Sequence, residues 1–131
     1  GIGCRKYISE ENVEKAVFQA FERARLDIRA AGILASIDLK KGEEGILKFA
    51  EKQSLPFVTF SAEELEAVSG SFTESEFVRK TAGIGNVCER SAVLAAGGRG
   101  RLWMRKQCLD GVTVAIAEER KTIGAEQKWS R

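Results

Sequence analysis

The chain has 131 residues, 44% of them hydrophobic, which suffices for one buried core but not for two ordinary domains, and a net charge of +2 that marks no nucleic-acid binder. Histidine is absent, which removes Ser-His and Cys-His nucleophile pairs and imidazole metal ligands, and Cys4, Cys88 and Cys108 are too few and too far apart for a disulfide framework or a metal site. No apolar run reaches membrane-spanning length and no charged-then-apolar leader opens the sequence, so a soluble, cytoplasmic protein is expected.

The chain opens on Gly1-Ile2-Gly3-Cys4-Arg5-Lys6, and a similar stretch, Gly83-Ile84-Gly85-Asn86-Val87-Cys88-Glu89-Arg90, comes later. Both precede helical patterns. A helix start leaves N–H groups unpaired and carries partial positive charge, so a bulk-free loop there can seat an anion, and two such loops with Arg5 and Arg90 suggest a ligand with several negative groups. The competing reading is that the glycines only tighten strand-to-helix turns.

Ser9, followed by Glu10 and Glu11, is an N-cap for a helix whose apolar stripe is Val13, Ala16, Val17, Ala20, Phe21 and Ala24. Residues 32–38 form a short apolar run ending at Asp38, Lys40 and Lys41, as in a buried parallel strand. A helix over 43–53, with Ile46, Leu47, Phe49 and Ala50 inward, leads to a strand over 56–60. Ser61 and Glu64 make a capping box with a Phe60–Leu65 staple, and Thr73 and Glu76 repeat the device between Phe72 and Phe77. A further helix over 88–96 stops at Gly97-Gly98. Strands over 101–105 and 112–117 flank Asp110-Gly111 and form a hairpin, and the polar residues after Glu118 make a tail or linker. Arg99, Arg101, Arg105 and Lys106 around Trp103 line either an anion groove or a charge-protected sheet edge.

These elements imply an α/β fold, a three-layer α/β/α sandwich with a mostly parallel (mixed) sheet and a C-terminal hairpin, as one domain over 1–118 with a tail over 119–131. Ligands of such sheets sit beyond the carboxyl ends of the strands, a rim that would hold the first loop, residues 38–41 and Ser61.

The ordered blocks GIGCRK (1–6), SIDLKK (36–41), PFVTFSAEEL (56–65), SEFV (75–78), GIGNVCERSAVLAAGG (83–98) and DGVTVAIA (110–117) resemble the C-terminal domain family shared by CbiG and CobE, proteins of cobalamin biosynthesis. The resemblance implies a domain acting on corrin precursors, tetrapyrroles ringed with carboxylates. CbiG-type members are cobalt-precorrin-5A hydrolases, which open a ring lactone and release acetaldehyde; CobE-type members are small stand-alone proteins, which supports an alternative as a non-catalytic module that binds or passes on a corrinoid. In the family, apolar residues complete a strand ahead of the first GIGC, so an N-terminal domain of the same protein is expected, and Tyr7 stands where a small residue is usual.

Substrate contacts are expected at Gly1, Gly3, Cys4, Arg5, Lys40, Ser61, Gly83, Gly85, Asn86, Cys88 and Arg90: backbone N–H groups of Gly3, Cys4, Gly85 and Asn86 would hold carboxylates, and Arg5, Lys40 and Arg90 would add charge-assisted bonds. Lactone opening needs a base and oxyanion stabilisation. Asp38 and Glu89 are the candidate bases, against readings of Asp38 as a solvated strand end and Glu89 as a first-turn residue favoured by the helix dipole. Cys4 and Cys88 lie near helix starts, where a thiol pKa can fall, but packing is the simpler role for each. No resident metal or cofactor is expected, cobalt belonging to the substrate; nucleic acid and membrane are not expected partners, and a homo-oligomer is compatible with the sequence.

Overall fold

The structure, a computed structural model, describes residues 1–68, 70, 72, 86–97 and 100–119. The Thr73–Glu76 capping box, Gly83, Gly85, Arg99 and the tail from residue 120 lie outside the described residues.

In chain order the elements are β1 (Ile2–Cys4), α1 (Glu10–Arg23), β2 (Leu34–Ile37), α2 (Glu44–Lys52), β3 (Phe57–Phe60), α3 (Ala62–Glu66), α4 (Val87–Ala95), β4 (Arg101–Leu109) and β5 (Val112–Glu118). Short 3₁₀ turns cover Ile28–Ala30 and Asp38–Lys40. Local chemistry explains most boundaries. Ser9 Oγ accepts from Asn12 N–H (3.1 Å) at the start of α1, and the capping box of Ser61 with Glu64 closes in both directions. Helices α1 and α2 both end in Schellman motifs, in which Leu26 N–H reaches Phe21 O and Leu55 N–H reaches Ala50 O; Arg25 and Ser54 take the left-handed position that glycine usually fills.

β2 and β3 run parallel, Leu34 opposite Phe57 and Ile37 opposite Phe60, joined by the crossover through α2 that parallel strands require. β1 is antiparallel to β5, and β5 to β4, with Asp110 (φ 49°) and Gly111 (φ 83°) as the two-residue hairpin turn. Of the three described pairings two are antiparallel, so the expectation of a mostly parallel sheet is corrected. Periodicity announces a strand but not its direction, and only one pair here is linked by a helical crossover.

Side chains alternate across β1 and β5, and the alternation sorts the helices. Ile2, Val112, Val114 and Ile116 join α1 (Val13, Val17, Ala20) and α2 (Ile46, Phe49) in the main core, where Phe18 meets Phe49 edge-on with centroids 6.3 Å apart. The opposite face of β1 meets α4. A Cβ at Gly1 would lie 1.8 Å from Cys88 O, so glycine is what lets the helix backbone approach the strand. The two sheets abut between β1 and β2, where Ser36 Oγ donates across to Ile2 O (2.7 Å), and Ser91 Oγ of α4 donates to Ala35 O (3.4 Å) and ties the helix to β2.

Candidate functional site

Because β2 and β3 are parallel, Asp38 and Ser61 follow them at the same end of the sheet. The end of β1 joins them, since the Cys4 thiol feels the charges of Lys40 and Glu43. Ile37, Leu65 and Val87 form a small buried cluster that brings the start of α4 to this end. The hairpin turn arrives as well: Arg5 N–H donates to Gly111 O (3.2 Å), and a Cβ at Gly111 would sit 2.9 Å from Arg5 Nη1. The topology therefore gathers Arg5, Lys6, Asp38, Lys40, Lys41, Ser61 and Asn86 on one rim. Arg5, Lys6, Asp38 and Lys41 are exposed there, Lys40 is half-buried, and the hairpin turn adds the exposed Asp110, so four cations share the rim with the accessible carboxylates of Asp38 and Asp110.

The first glycine stretch behaves differently from its expectation. It is a strand, not a loop at a helix start, and α1 begins six residues after Cys4, at Glu10. Gly1 and Ala115 exchange two hydrogen bonds (2.9 and 3.0 Å), and the alternation of an antiparallel ladder turns Gly3 towards Thr113 in the same way. The backbone of Gly1 and Gly3 is thus committed to the sheet. The segment between β1 and α1 is held from outside instead: Glu43 Oε1 accepts from Ile8 N–H (3.2 Å), and Gly45 packs so closely that a Cβ there would come within 2.3 Å of Ile8 O.

At the second stretch, Asn86 caps α4 through its side chain, accepting from Glu89 N–H (2.9 Å) and from Cys88 Sγ (3.6 Å). Glu89 is fully buried and points to β4 rather than to the rim; its Oε2 accepts from Lys106 N–H (2.8 Å), where the ladder of β4 is irregular, and its Oε1 lies 3.6 Å from Arg105 Nη1. Arg90 turns to α3, donating from Nη1 to Leu65 O (3.3 Å), with its guanidinium 4.7 Å from the centroid of Phe72. The Ser61 hydroxyl accepts in the capping box, which leaves it one proton to donate.

Burial raises both thiols near the strand–helix junction, Cys4 to about 11 and Cys88 to about 11, so at neutral pH each is a neutral packing group and not a thiolate. The basic β4 edge is also spent locally: Arg101 Nε donates to Glu118 Oε1 (2.8 Å), and Trp103 Nε1 donates to Ala24 O (3.1 Å) beyond the end of α1. This is the arrangement of a protected edge strand. A cavity of about 480 Å³, lined mainly by apolar residues including Phe21, Leu34, Ala92 and Ile116, lies at the opposite end of the sheet from the rim.

Sequence reasoning overlooked two rim features. Glu43 reaches a backbone group 35 residues away, and the Asp110–Gly111 turn, itself legible in the sequence, is carried to the rim by the pairing of Cys4 with Val112; neither of these long-range placements leaves a local signal. Leu39 stands 61% exposed between Asp38 and Lys40, an apolar side chain among charges that hydrophobic periodicity alone cannot mark.

Among the described residues no helix is long and apolar enough to cross a membrane. The sequence profile described as cobalamin synthesis G C-terminus matches residues 1–117. A curated relative, the cobalt-precorrin-5A hydrolase of Salmonella typhimurium (strain LT2), is 37% identical over 116 residues, covering 88% of this chain and 32% of its own, so the chain spans about a third of that relative's length. The crystal structure of CobE, a protein from the cobalamin (vitamin B12) biosynthetic pathway, superposes with a TM-score of 0.83 at 26% identity, covering 89% of this chain and 86% of that one. Cobalamin biosynthesis protein chiG from Agrobacterium tumefaciens str. C58 superposes with a TM-score of 0.72 at 29% identity, covering 92% and 97%. With its mixed α/β fold and a profile match from the first residue almost to the end of β5, the chain belongs to the cobalamin synthesis G C-terminus family.

Proposed function

We propose that this domain forms the corrinoid-binding part of a cobalt-precorrin-5A hydrolase and that the rim is its substrate seat. One observation carries the reading: four cations, Arg5, Lys6, Lys40 and Lys41, gather at the carboxyl end of the strands, together with the exposed carboxylates of Asp38 and Asp110. A corrin precursor presents several acetate and propionate groups, which such a ring of cations binds by charge-assisted hydrogen bonds. Opening the lactone adds water across the ester: the water oxygen bonds to the carbonyl carbon, and the lactone's ring oxygen leaves and is protonated to a hydroxyl on the two-carbon unit; that hydroxyl then loses its proton and becomes a carbonyl as the carbon–carbon bond to the macrocycle breaks, the electron pair left on the macrocycle takes up a proton, and acetaldehyde departs. Asp38 takes the proton of the attacking water, and the neighbouring Lys40 stabilises the developing oxyanion. Glu89, whose carboxylate is occupied by Lys106 N–H, supports β4 and takes no part in proton transfer. Cobalt arrives with the substrate.

The domain is read as one three-layer α/β/α sandwich working with an N-terminal domain, in keeping with its coverage of 32% of the Salmonella relative. Incubating cobalt-precorrin-5A with this chain, alone and joined to that domain, tests the reading by acetaldehyde release. Release that falls at least 100-fold in Asp38→Asn supports it; release unchanged by Asp38→Asn removes Asp38 from the chemistry. Corrinoid binding with no release from either form favours the CobE-like carrier role.

A further inference from the structure

Tyr7 is the most exposed large apolar residue described, at 92%, and its backbone sits at φ 59°, where a side chain bearing a Cβ is disfavoured. The other described non-glycine residues in this region have local reasons: Arg25 and Ser54 close Schellman motifs and Asp110 belongs to the hairpin turn. Tyr7 also lies in a turn, Lys6–Tyr7, but there a large aromatic side chain is turned out to solvent. It occupies a short turn between β1 and α1 whose far side is pinned, with Ile8 N–H held by Glu43 and Ile8 O pressed against Gly45. A disfavoured conformation maintained from outside, carrying an aromatic ring into solvent, has the form of strain kept for function. Its surroundings say what the ring meets. Arg5 and Lys6 precede it, the Lys40–Lys41 pair stands where Glu43 ties the segment to α2, and the exposed Leu39 belongs to that same turn.

We propose that Tyr7, assisted by Leu39, is a specificity-determining contact for the flat face of a carboxylate-ringed macrocycle: the ring packs on the conjugated face while the cations on either side take the carboxylates. The inference rests on the corrinoid reading above and adds to it the residue that selects a large planar ligand over a small polyanion. An aromatic ring supplies broad contact area with only two side-chain torsions to freeze, and stacking on a conjugated face requires the ring but not the hydroxyl.

The strain gives a test that a packing role would not satisfy. Tyr7→Gly relieves the backbone and removes the ring, so it separates stability from binding. The chain and its Tyr7→Gly, Tyr7→Phe and Arg5→Gln/Lys40→Gln variants are titrated with cobyrinic acid, a stable corrin carrying free carboxylates, and melted in parallel. Tyr7→Gly should weaken binding at least 10-fold while melting no lower than the parent, and Tyr7→Phe should bind within about 2-fold of it. Unchanged or tighter binding by Tyr7→Gly, the latter meaning that the ring obstructs the seat, overturns the inference. So does a Tyr7→Gly melt that falls along with binding, which would make Tyr7 a structural residue. If the Arg5/Lys40 variant loses affinity and Tyr7→Gly does not, the corrinoid reading stands without Tyr7; if the parent chain itself does not bind cobyrinic acid, the reading fails and the inference with it.

Discussion

The seam where α4 crosses β1 and the rim a few residues further along share the motif-bearing stretches of sequence but use them in opposite ways. At the seam, glycine, serine and buried glutamate are spent on neighbouring backbone: Gly1 admits the Cys88 carbonyl, Ser36 bridges the two sheets, Ser91 ties α4 to β2, and Glu89 holds Lys106 N–H. At the rim, Arg5, Lys6, Asp38 and Lys41 face solvent and Tyr7 is held there in a disfavoured conformation. A glycine-rich motif can therefore mark close approach of backbones as readily as a seat for an anion, and the two are told apart by what the backbone N–H groups already bond.

The comparison makes opposite demands on variants of the two regions. The largest effect belongs to Glu89→Ala, which strips Lys106 N–H of its acceptor and leaves a void beside Arg105; urea unfolding should show a loss of about 3 kcal/mol, the range for breaking a buried charged network. A loss below about 0.5 kcal/mol would erase the distinction between seam and rim. Ser36→Ala removes the 2.7 Å bond to Ile2 O and should cost about 1 kcal/mol, with corrinoid affinity unchanged.

Alkaline pH sharpens the same contrast. Cys88 at the seam and Cys4 at the rim end of β1 both have folded values of about 11, above the ordinary value of 9.0, so their contribution is fully present below pH 9 and is lost as pH rises through 11, because the unfolded chain releases those protons first. Urea midpoints should fall across that window, and Cys88→Ser, whose hydroxyl does not ionise there, should flatten the fall. At the small end, Asp38→Asn and Lys41→Gln should shift stability by no more than about 0.5 kcal/mol, as exposed substitutions do.

Much of this architecture was legible because its signals are local. The Ser9 and Ser61 caps, the Phe60–Leu65 staple, the Asp110–Gly111 turn and the apolar stripe of α1 each occupy a few consecutive residues, and each reappears in the structure. The hairpin ran further than expected, since β4 continues to Leu109 through irregular pairing that alternation cannot follow. What the sequence hid were long-range commitments: that Gly1 bonds to Ala115, that Glu89 turns inward, and that Glu43 pins the turn bearing Tyr7. The rim was foreseeable from the rule for strand ends, and it kept Arg5, Asp38, Lys40 and Ser61 together, whereas the buried Glu89 and the α3-facing Arg90 point elsewhere.

The central claim, that the rim is where corrinoid carboxylates bind, is tested most directly by a visible-absorbance titration of the parent chain and the Arg5→Gln/Lys40→Gln variant with cobalt-precorrin-5A, each checked for an unchanged melt. The account predicts at least 10-fold weaker binding by the variant. Equal affinity in the two proteins would contradict it and place the ligand elsewhere on the domain.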